Sequence, residues 1–339
     1  MVRLLMVNSC SVLFWGVFLS GICLSVGSMS WLGVWVGMEV SLLGIYGIFC
    51  GNFSQNEILA SLKYLMIQVL SASMILMGFL FRDWSLGIGI LGEFMMMMGV
   101  IMKVGIFPFY YWVMPVMSGL SWQSSWIFCT LQKVIPLMVF CVVLEFFVLL
   151  SDLCAVMSVM VSGFEGIRQM SMRGIFAYSS IGQSGWLLLL CSHGDSLSLI
   201  WFSTIYSFVL MTVFWSLLKN DPYNYKYMAS DLSESIFFKG YNVLVVFSLA
   251  GIPPLLGFIP KILVLCEVGL SLGIFTLVLL WAVLASVWFY SSFLFSWSVS
   301  SSKSFLYLKK MSFFSSLKSG SFFLFFFMNL GGGLLYFLI

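Results

Sequence analysis

The sequence predicts an all-α polytopic membrane protein with about eleven transmembrane helices, and its composition and long apolar runs lead to this prediction. Of its 339 residues, 62% are hydrophobic and only 8% are charged, whereas a soluble domain carries about 25% charged residues. The apolar runs are about 20 residues long, which suits helices that cross a bilayer and exceeds the length of a barrel strand. The chain has too little polar surface for a soluble protein.

The apolar runs divide into eleven predicted spans. They are 7–27, 28–50, 59–80, 86–119, 123–146, 149–167, 172–193, 196–218, 238–270, 272–297 and 319–338. The fourth and the ninth are too long for one straight crossing, and each contains helix-breaking residues, IFPF in one and IPPL in the other. We interpret both as pairs of half-helices joined within the membrane. The residues predicted to break them are Gly105, Pro108, Pro253 and Pro254.

The positions of the two interrupted spans predict an internal repeat. They are five spans apart, and because five is odd, a repeat of five helices enters the membrane from opposite sides in its two copies. We therefore expect one membrane domain, 1–339, with inverted repeats at 7–146 and 149–297 and an additional C-terminal helix at 319–338. Broken helices at equivalent positions of such repeats are typical of transport paths.

The distribution of positive charge predicts the orientation. Of the fifteen Lys and Arg residues, ten fall in loops on the side of the N-terminus, Arg82 falls on the other side, and four lie inside spans. By the positive-inside rule, the N-terminus lies on the cytoplasmic or matrix side and the C-terminus on the opposite side.

Cofactor chemistry has few candidate ligands in this chain. The eight cysteines include no CxxC pair, and His193 is the single histidine. The sequence therefore offers no pattern typical of zinc, iron–sulfur or haem sites. It also contains no GxGxxG, GxxxxGK[ST] or GxSxG motif. We expect no redox centre, metal or bound nucleotide in this chain.

Four charged residues lie deep in the predicted spans: Glu39, Lys103, Lys133 and Lys261. Each costs roughly 2.5–3.5 kcal/mol on insertion scales, so each is a candidate functional residue. Carboxylates and amines that change each other's charge can pass protons along a line. We expect Glu39 and Lys103 to interact, and all four residues to face the bundle interior near one mid-membrane plane.

Three other charges within the spans have a simpler interpretation. Lys63 lies near the start of its span, where its side chain can snorkel to the interface. Glu93 and Glu267 are each expected to have a local structural role, and a lysine is one candidate partner for Glu93. Three functions compete for a chain with such buried charges. They are a proton-translocating subunit of an energy-converting complex, a free-standing cation/proton antiporter, and a subunit that only scaffolds its neighbours.

Six motifs together resemble a known family. In order they are GMEVSLLG, SLKYLMIQVLSASM, KVGIFPFYYWV, LQKVIP, RGIFAYSSIGQSGW and SLAGIPPLLGFIPK. They are similar to subunit 2 of mitochondrial NADH dehydrogenase (ubiquinone), an antiporter-like membrane subunit of respiratory complex I, from about residue 30 to 265. The resemblance implies a proton relay at Glu39, Lys103, Lys133 and Lys261.

The same resemblance implies the setting of the chain. It implies a multi-pass protein of the mitochondrial inner membrane, with its N-terminus in the matrix and its C-terminus in the intermembrane space. It implies that the partners are other membrane-arm subunits of complex I and the lipid bilayer, and that no nucleic acid binds. It also implies that the chain is not stable without the rest of the complex. NADH, FMN, iron–sulfur clusters and ubiquinone would act elsewhere in the complex.

Three positions depart from the family pattern. Gln183 and Tyr110 stand where the family usually has histidine, and Pro115 where it usually has glutamate. Family roles at these positions are therefore not carried over.

Overall fold

The computed structural model describes residues 9–51, 54–82, 89–143, 147–169, 171–218, 236–253, 255–269 and 273–305. Every regular element in these ranges is a helix. Seven stretches among them are long and apolar enough to cross a membrane. The predicted all-α membrane fold is thereby confirmed. The count of eleven spans stays a prediction, and the last span, 319–338, lies outside the described residues.

Thirteen helices are present within the described part of the chain. They are α1 Ser9–Gly27, α2 Trp31–Phe49, α3 Gln55–Arg82, α4 Gly89–Val104, α5 Val113–Gly119, α6 Trp122–Cys129, α7 Leu131–Val143, α8 Val148–Arg168, α9 Met172–His193, α10 Ser196–Leu218, α11 Ile236–Ala250, α12 Phe258–Gly269 and α13 Gly273–Phe305. They form two compact units, 1–158 and 159–339, and the boundary falls inside α8.

The first unit is built on close packing of neighbouring helices. α1 packs along α2, α3 along α4, and α4 against α7. Small residues allow the first of these contacts, since a Cβ on Gly21 would clash with the backbone of Ser41, and one on Gly44 with the backbone of Phe18. Without a hydrophobic driving force between helices in lipid, such close backbone approach supplies the packing energy.

The second unit is centred on α9, most of whose residues are buried. α12 and α13 pack on α9, and α11 packs between α10 and α13. At Gly163 and Gly166, α8 approaches Ala285 and Phe289 of α13. The interior of this unit therefore lies around the helix that carries the motif RGIFAYSSIGQSGW.

Both predicted helix breaks are confirmed by the helix bounds. α4 ends at Val104 and α5 begins at Val113, while α11 ends at Ala250 and α12 begins at Phe258. Pro254 lies outside the described residues. Each break starts with a glycine in the left-handed region, Gly105 at φ +80° and Gly251 at φ +78°, a conformation that other residues adopt only with strain.

The hydrogen bonds at these two glycines follow one pattern. After each glycine, the next backbone N–H reaches five residues back, from Ile106 to Ile101 at 3.1 Å and from Ile252 to Phe247 at 3.5 Å. This 6→1 bond is the mark of a glycine C-cap of the Schellman type. Both helices are therefore terminated by the same local device.

A third interruption was not predicted. The span expected at 123–146 divides into α6 and α7 at Thr130, whose φ and ψ are −116° and −85°. Two local features weaken the helix here. The Thr130 hydroxyl donates to the Trp126 carbonyl at 2.7 Å, a bond that tends to bend helices. Pro136 lies inside α7 and provides no N–H for the carbonyl of Gln132.

Candidate functional site

Glu39 of α2 and Lys103 of α4 form an ion pair. Lys103 Nζ donates to Glu39 Oε1 at 3.3 Å, so the predicted interaction is confirmed. The two partners differ in exposure within this chain, because the Lys103 side chain is 4% exposed and that of Glu39 is 26% exposed. Glu39 is therefore at the margin of its unit, and its orientation toward the bundle interior stays a prediction.

The end of α4 holds Lys103 in place. Lys103 lies in the last turn of α4, two residues before Gly105, where the negative end of the helix dipole favours a cation. Because the helix stops, the Lys103 carbonyl loses its usual helical donor. The amide of Gln68 on α3 replaces that donor, with Nε2 lying 3.1 Å from the carbonyl oxygen.

Tyr64 lies one turn before Gln68 on α3, and its hydroxyl is buried. The hydroxyl makes no hydrogen bond to the residues described in the structure. Its ring packs against Phe49, Trp112 and Phe128, with ring centroids 5.2 to 6.2 Å away. Tyr64 therefore belongs to a buried aromatic cluster of the first unit.

Tyr64 and Gln68 were not among the predicted site residues, although the spacing of polar residues in the sequence points to them. Polar residues recur every three or four positions along the apolar helix α3, and they are buried: Glu57, Ser61, Tyr64, Gln68 and Ser71. This spacing places them on one face of a helix. A polar stripe inside a membrane span indicates a face turned toward protein and not toward lipid.

Lys133 lies in the first turn of α7, directly after the interruption at Thr130. It is buried, and its backbone N–H donates to the Thr130 carbonyl at 3.1 Å. Since α7 packs against α4, Lys133 and the Glu39–Lys103 pair belong to neighbouring helices of one unit. Both buried lysines of this unit, Lys103 and Lys133, therefore lie next to a helix end.

Lys261 lies in the first turn of α12, after the break in the second unit, and is buried. Its Nζ donates to the Ala250 carbonyl at 2.6 Å and to the Ser286 hydroxyl at 3.4 Å. Ala250 is the last residue of α11, so its carbonyl is one that the break leaves without a helical donor. A Cβ on Gly251 would lie 2.9 Å from the same Nζ. The breaks therefore serve the two lysines differently, since Lys103 precedes its break and Lys261 follows its own.

The other charges within spans have local contacts. Glu93 pairs with Arg82, with Nε and Oε1 at 3.8 Å, so its local structural role is confirmed, with an arginine and not a lysine as the partner. The end of α3 meets the start of α4 here, and the Arg82 guanidinium also lies 5.7 Å from the centre of the Trp31 ring. Lys63 is exposed, as a snorkelling side chain requires. The Glu267 carboxylate lies against Gly194, between α9 and α10.

No group of three or more His, Cys, Asp or Glu residues that could hold a metal ion occurs within the described ranges. The site itself contains a carboxylate, an ammonium, an amide and hydroxyl groups. A carboxylate and an ammonium 3.3 Å apart beside a helix end can exchange charge with a proton donor or acceptor.

Comparison with known proteins decides the family. The family described as NADH:quinone oxidoreductase/Mrp antiporter, TM, matches residues 28–288. NADH-ubiquinone oxidoreductase chain 2 of Pisaster ochraceus is 31% identical over 276 residues, which cover 78% of this chain and 77% of that protein. The chain belongs to the NADH-ubiquinone oxidoreductase chain 2 family. The protein of that name from Cyprinus carpio is 30% identical over 287 residues, covering 81% of this chain and 82% of the other.

Solved structures have the same fold as this member of the chain 2 family. A chain of respiratory complex I from Thermus thermophilus matches 87% of it with a TM-score of 0.75, at 18% identity and over 76% of that chain. A chain of the membrane-bound sulfane sulfur reductase, an archaeal respiratory membrane complex, matches 98% of it with a TM-score of 0.82, at 14% identity and over 75% of that chain. The family predicted from the six motifs is confirmed.

Proposed function

We propose that this chain is a proton-translocating membrane subunit of respiratory complex I, the NADH:ubiquinone oxidoreductase. Relatives named NADH-ubiquinone oxidoreductase chain 2, which match about three quarters or more of its length, support the assignment to the complex. The observation that carries the proton chemistry is the Glu39–Lys103 pair at 3.3 Å beside the end of α4. A charge pair at membrane depth is expensive and typically marks a proton or ion path.

In this proposal Glu39 and Lys103 form a switch. The Glu39 carboxylate favours the ammonium form of Lys103, because opposite charges at short distance stabilise each other. When Glu39 moves away or its charge is neutralised, the desolvated ammonium loses that support and releases a proton toward Lys133. The margin position of Glu39, 26% exposed, suits a residue whose charge responds to something outside this chain.

Lys261 would act in the second unit. Its hydrogen-bond partners within the described residues are the Ala250 carbonyl and the Ser286 hydroxyl, both neutral, so no carboxylate fixes its charge there. Such a lysine can gain or lose a proton as the field around it changes. The continuous relay through Glu39, Lys103, Lys133 and Lys261 stays a prediction.

The energy for translocation would come from other subunits. We propose that electrons pass from NADH to ubiquinone, through FMN and iron–sulfur clusters, outside this chain, which carries no redox centre of its own. Its partners would be other membrane-arm subunits, and the chain would not be stable alone. The scattered cysteines and the single histidine support this division of labour.

We further propose the topology predicted from the charges and breaks. The two five-helix repeats, 7–146 and 149–297, would have inverted orientation, and the matching glycine C-caps at Gly105 and Gly251 support their relation. The chain would cross the mitochondrial inner membrane several times, with its N-terminus in the matrix. The excess of loop lysines and arginines on the N-terminal side supports that orientation.

A free-standing cation/proton antiporter is the second candidate. It is favoured by the structural match to a chain of the Mrp complex from Dietzia sp. DQ12-45-1b, at a TM-score of 0.69 and 15% identity, of which this chain covers 59%. Purification separates the two functions, because a complex I subunit co-purifies with NADH dehydrogenase activity and an independent antiporter does not. The third candidate, a scaffold without pumping, is tested by substitution.

Lys133→Met in the intact complex tests the relay. We expect the complex to assemble, while proton pumping and the coupled NADH oxidation fall by about tenfold or more, as for the loss of a proton-transfer group. Lys63→Met is the control, because Lys63 is exposed. Pumping at the control rate in assembled Lys133→Met complex would show that this subunit only scaffolds its neighbours.

A further inference from the structure

A small cavity lies between α1, α2, α4 and α7 of the first unit. Its volume is about 10 Å³, and its walls include Lys103, Gln132 and Ser41 among apolar side chains such as Phe18 and Pro136. This volume is close to the smallest that holds one water molecule, and a water needs two or more polar partners to stay there. The cavity therefore has the size and the polar groups for a single bound water.

Gln132 has two oxygens that need donors. Its side-chain Oε1 is buried and accepts no hydrogen bond from any residue that the structure describes. Its backbone carbonyl lacks the usual helical donor, because the residue four positions later in α7 is Pro136, which has no N–H. Buried oxygens of this kind are costly unless they are hydrogen-bonded, and ordered water is the usual remedy.

Lys103 faces the same cavity with spare donors. Its ammonium has three N–H bonds, and the bond to Glu39 at 3.3 Å uses one of them. Lys103 on α4 and Gln132 on α7 both line the cavity, so the first can supply a donor and the second an acceptor. Lys133, the residue after Gln132, lies in the same first turn of α7.

We propose that Gln132 holds a water molecule in this cavity against Lys103 and is the positioning residue for the step that carries a proton from Lys103 toward Lys133. This inference rests on the proposed function. One N–H bond of the Lys103 ammonium breaks, the water gains that proton, and it gives up another proton along the path that ends on the neutral amine of Lys133. The Gln132 amide gains and loses no proton, since it only orients the water.

The experiment is Gln132→Leu in the intact complex, which removes Oε1 at similar volume. Gln123→Leu is the matched control, because Gln123 is an exposed glutamine on the adjacent helix α6. We expect the Gln132→Leu complex to assemble and to pump about tenfold more slowly, as for the loss of one hydrogen bond. Its solvent deuterium isotope effect on coupled NADH oxidation should rise, because proton transfer across the gap becomes rate-limiting. Gln132→Glu, which keeps an acceptor oxygen, should recover part of the rate.

Several results would overturn the proposal. They are pumping by Gln132→Leu at the control rate, or a slower rate with an unchanged isotope effect. If the leucine variant does not assemble, Gln132→Met is judged by the same criteria, and failure of both to assemble would make Gln132 a packing residue. Lys133→Met in the same assay distinguishes failure of the proposed water site from failure of the proposed function. If Lys133→Met stops pumping while Gln132→Leu does not, only the water site is wrong, whereas normal pumping by Lys133→Met contradicts the proposed function itself.

Discussion

Neutralising Glu39 is the most direct perturbation of this chain. Glu39→Gln keeps the size and hydrogen-bonding capacity of the side chain and removes its charge. In the proposed switch, the variant complex assembles but cannot hold Lys103 in its ammonium form. If the pair only joins α2 to α4, the same change leaves a buried lysine without its counter-charge, which costs about 3–5 kcal/mol, and the subunit fails to assemble.

The size of the effect follows from the geometry. At the observed 3.3 Å, two unit charges attract by about 5 kcal/mol at an effective dielectric constant of about 20 and by little more than 1 kcal/mol in water. Lys103 is 4% exposed and Glu39 is 26% exposed, so the pair lies between these limits, at about 2–4 kcal/mol. Losing that energy shifts the balance between ammonium and amine at Lys103 by about 30-fold to 1000-fold.

Three measurements on the intact complex check the prediction: the amount assembled on native gels, the rate of NADH oxidation, and proton pumping into sealed vesicles. Glu165→Gln is the matched control, because Glu165 also contacts a cation at 3.3 Å, Arg168, but the two side chains are 35% and 75% exposed. Such a surface pair contributes about 0–1 kcal/mol, and we expect no change. Normal pumping by assembled Glu39→Gln complex would refute the switch and remove Glu39 from the relay.

Three further substitutions test other parts of the site. Lys261→Met should assemble and lose pumping, whereas exposed Lys63→Met should pump normally, and equal pumping by both would exclude Lys261 from the relay. Gly251→Ala forces a Cβ into a backbone at φ +78° and to 2.9 Å from Lys261 Nζ, so it should destabilise the subunit by about 1–3 kcal/mol. The Tm of the intact complex should be lower with Gly251→Ala than with Gly269→Ala, because the space around a Cβ at Gly269 is open. Equal Tm values for the two variants would contradict the strain argument. Gln68→Leu leaves the Lys103 carbonyl, now bonded at 3.1 Å, without a donor and should cost about 1–3 kcal/mol. An unchanged Tm for this variant would mean that another donor takes over.

The sequence by itself determined the class of the protein and the positions of two of its helix breaks, but not the interruption at Thr130. Membrane insertion sets a cost for each residue separately, so deep charges such as Lys133 and Lys261 are visible without any knowledge of their neighbours. The breaks are local as well, because Gly105 and Pro253 act on their own backbone. The contact between Glu39 and Lys103 was also predicted from the sequence and is present in the structure.

Only the tertiary structure decided the other contacts across helices. Lys103 and Arg82 each have a glutamate partner, and the sequence did not predict that Glu93 pairs with Arg82, because the choice depends on which helix ends lie side by side. Gln68 bonds a carbonyl 35 residues away, and Gln132 faces a cavity with walls from four helices. A hydrogen bond or a cavity belongs to several helices at once, and their relative rotation and depth are set by close packing at residues such as Gly21 and Gly44. The periodicity of one span indicates which of its faces is turned toward protein, but not which groups of the neighbouring helices that face meets.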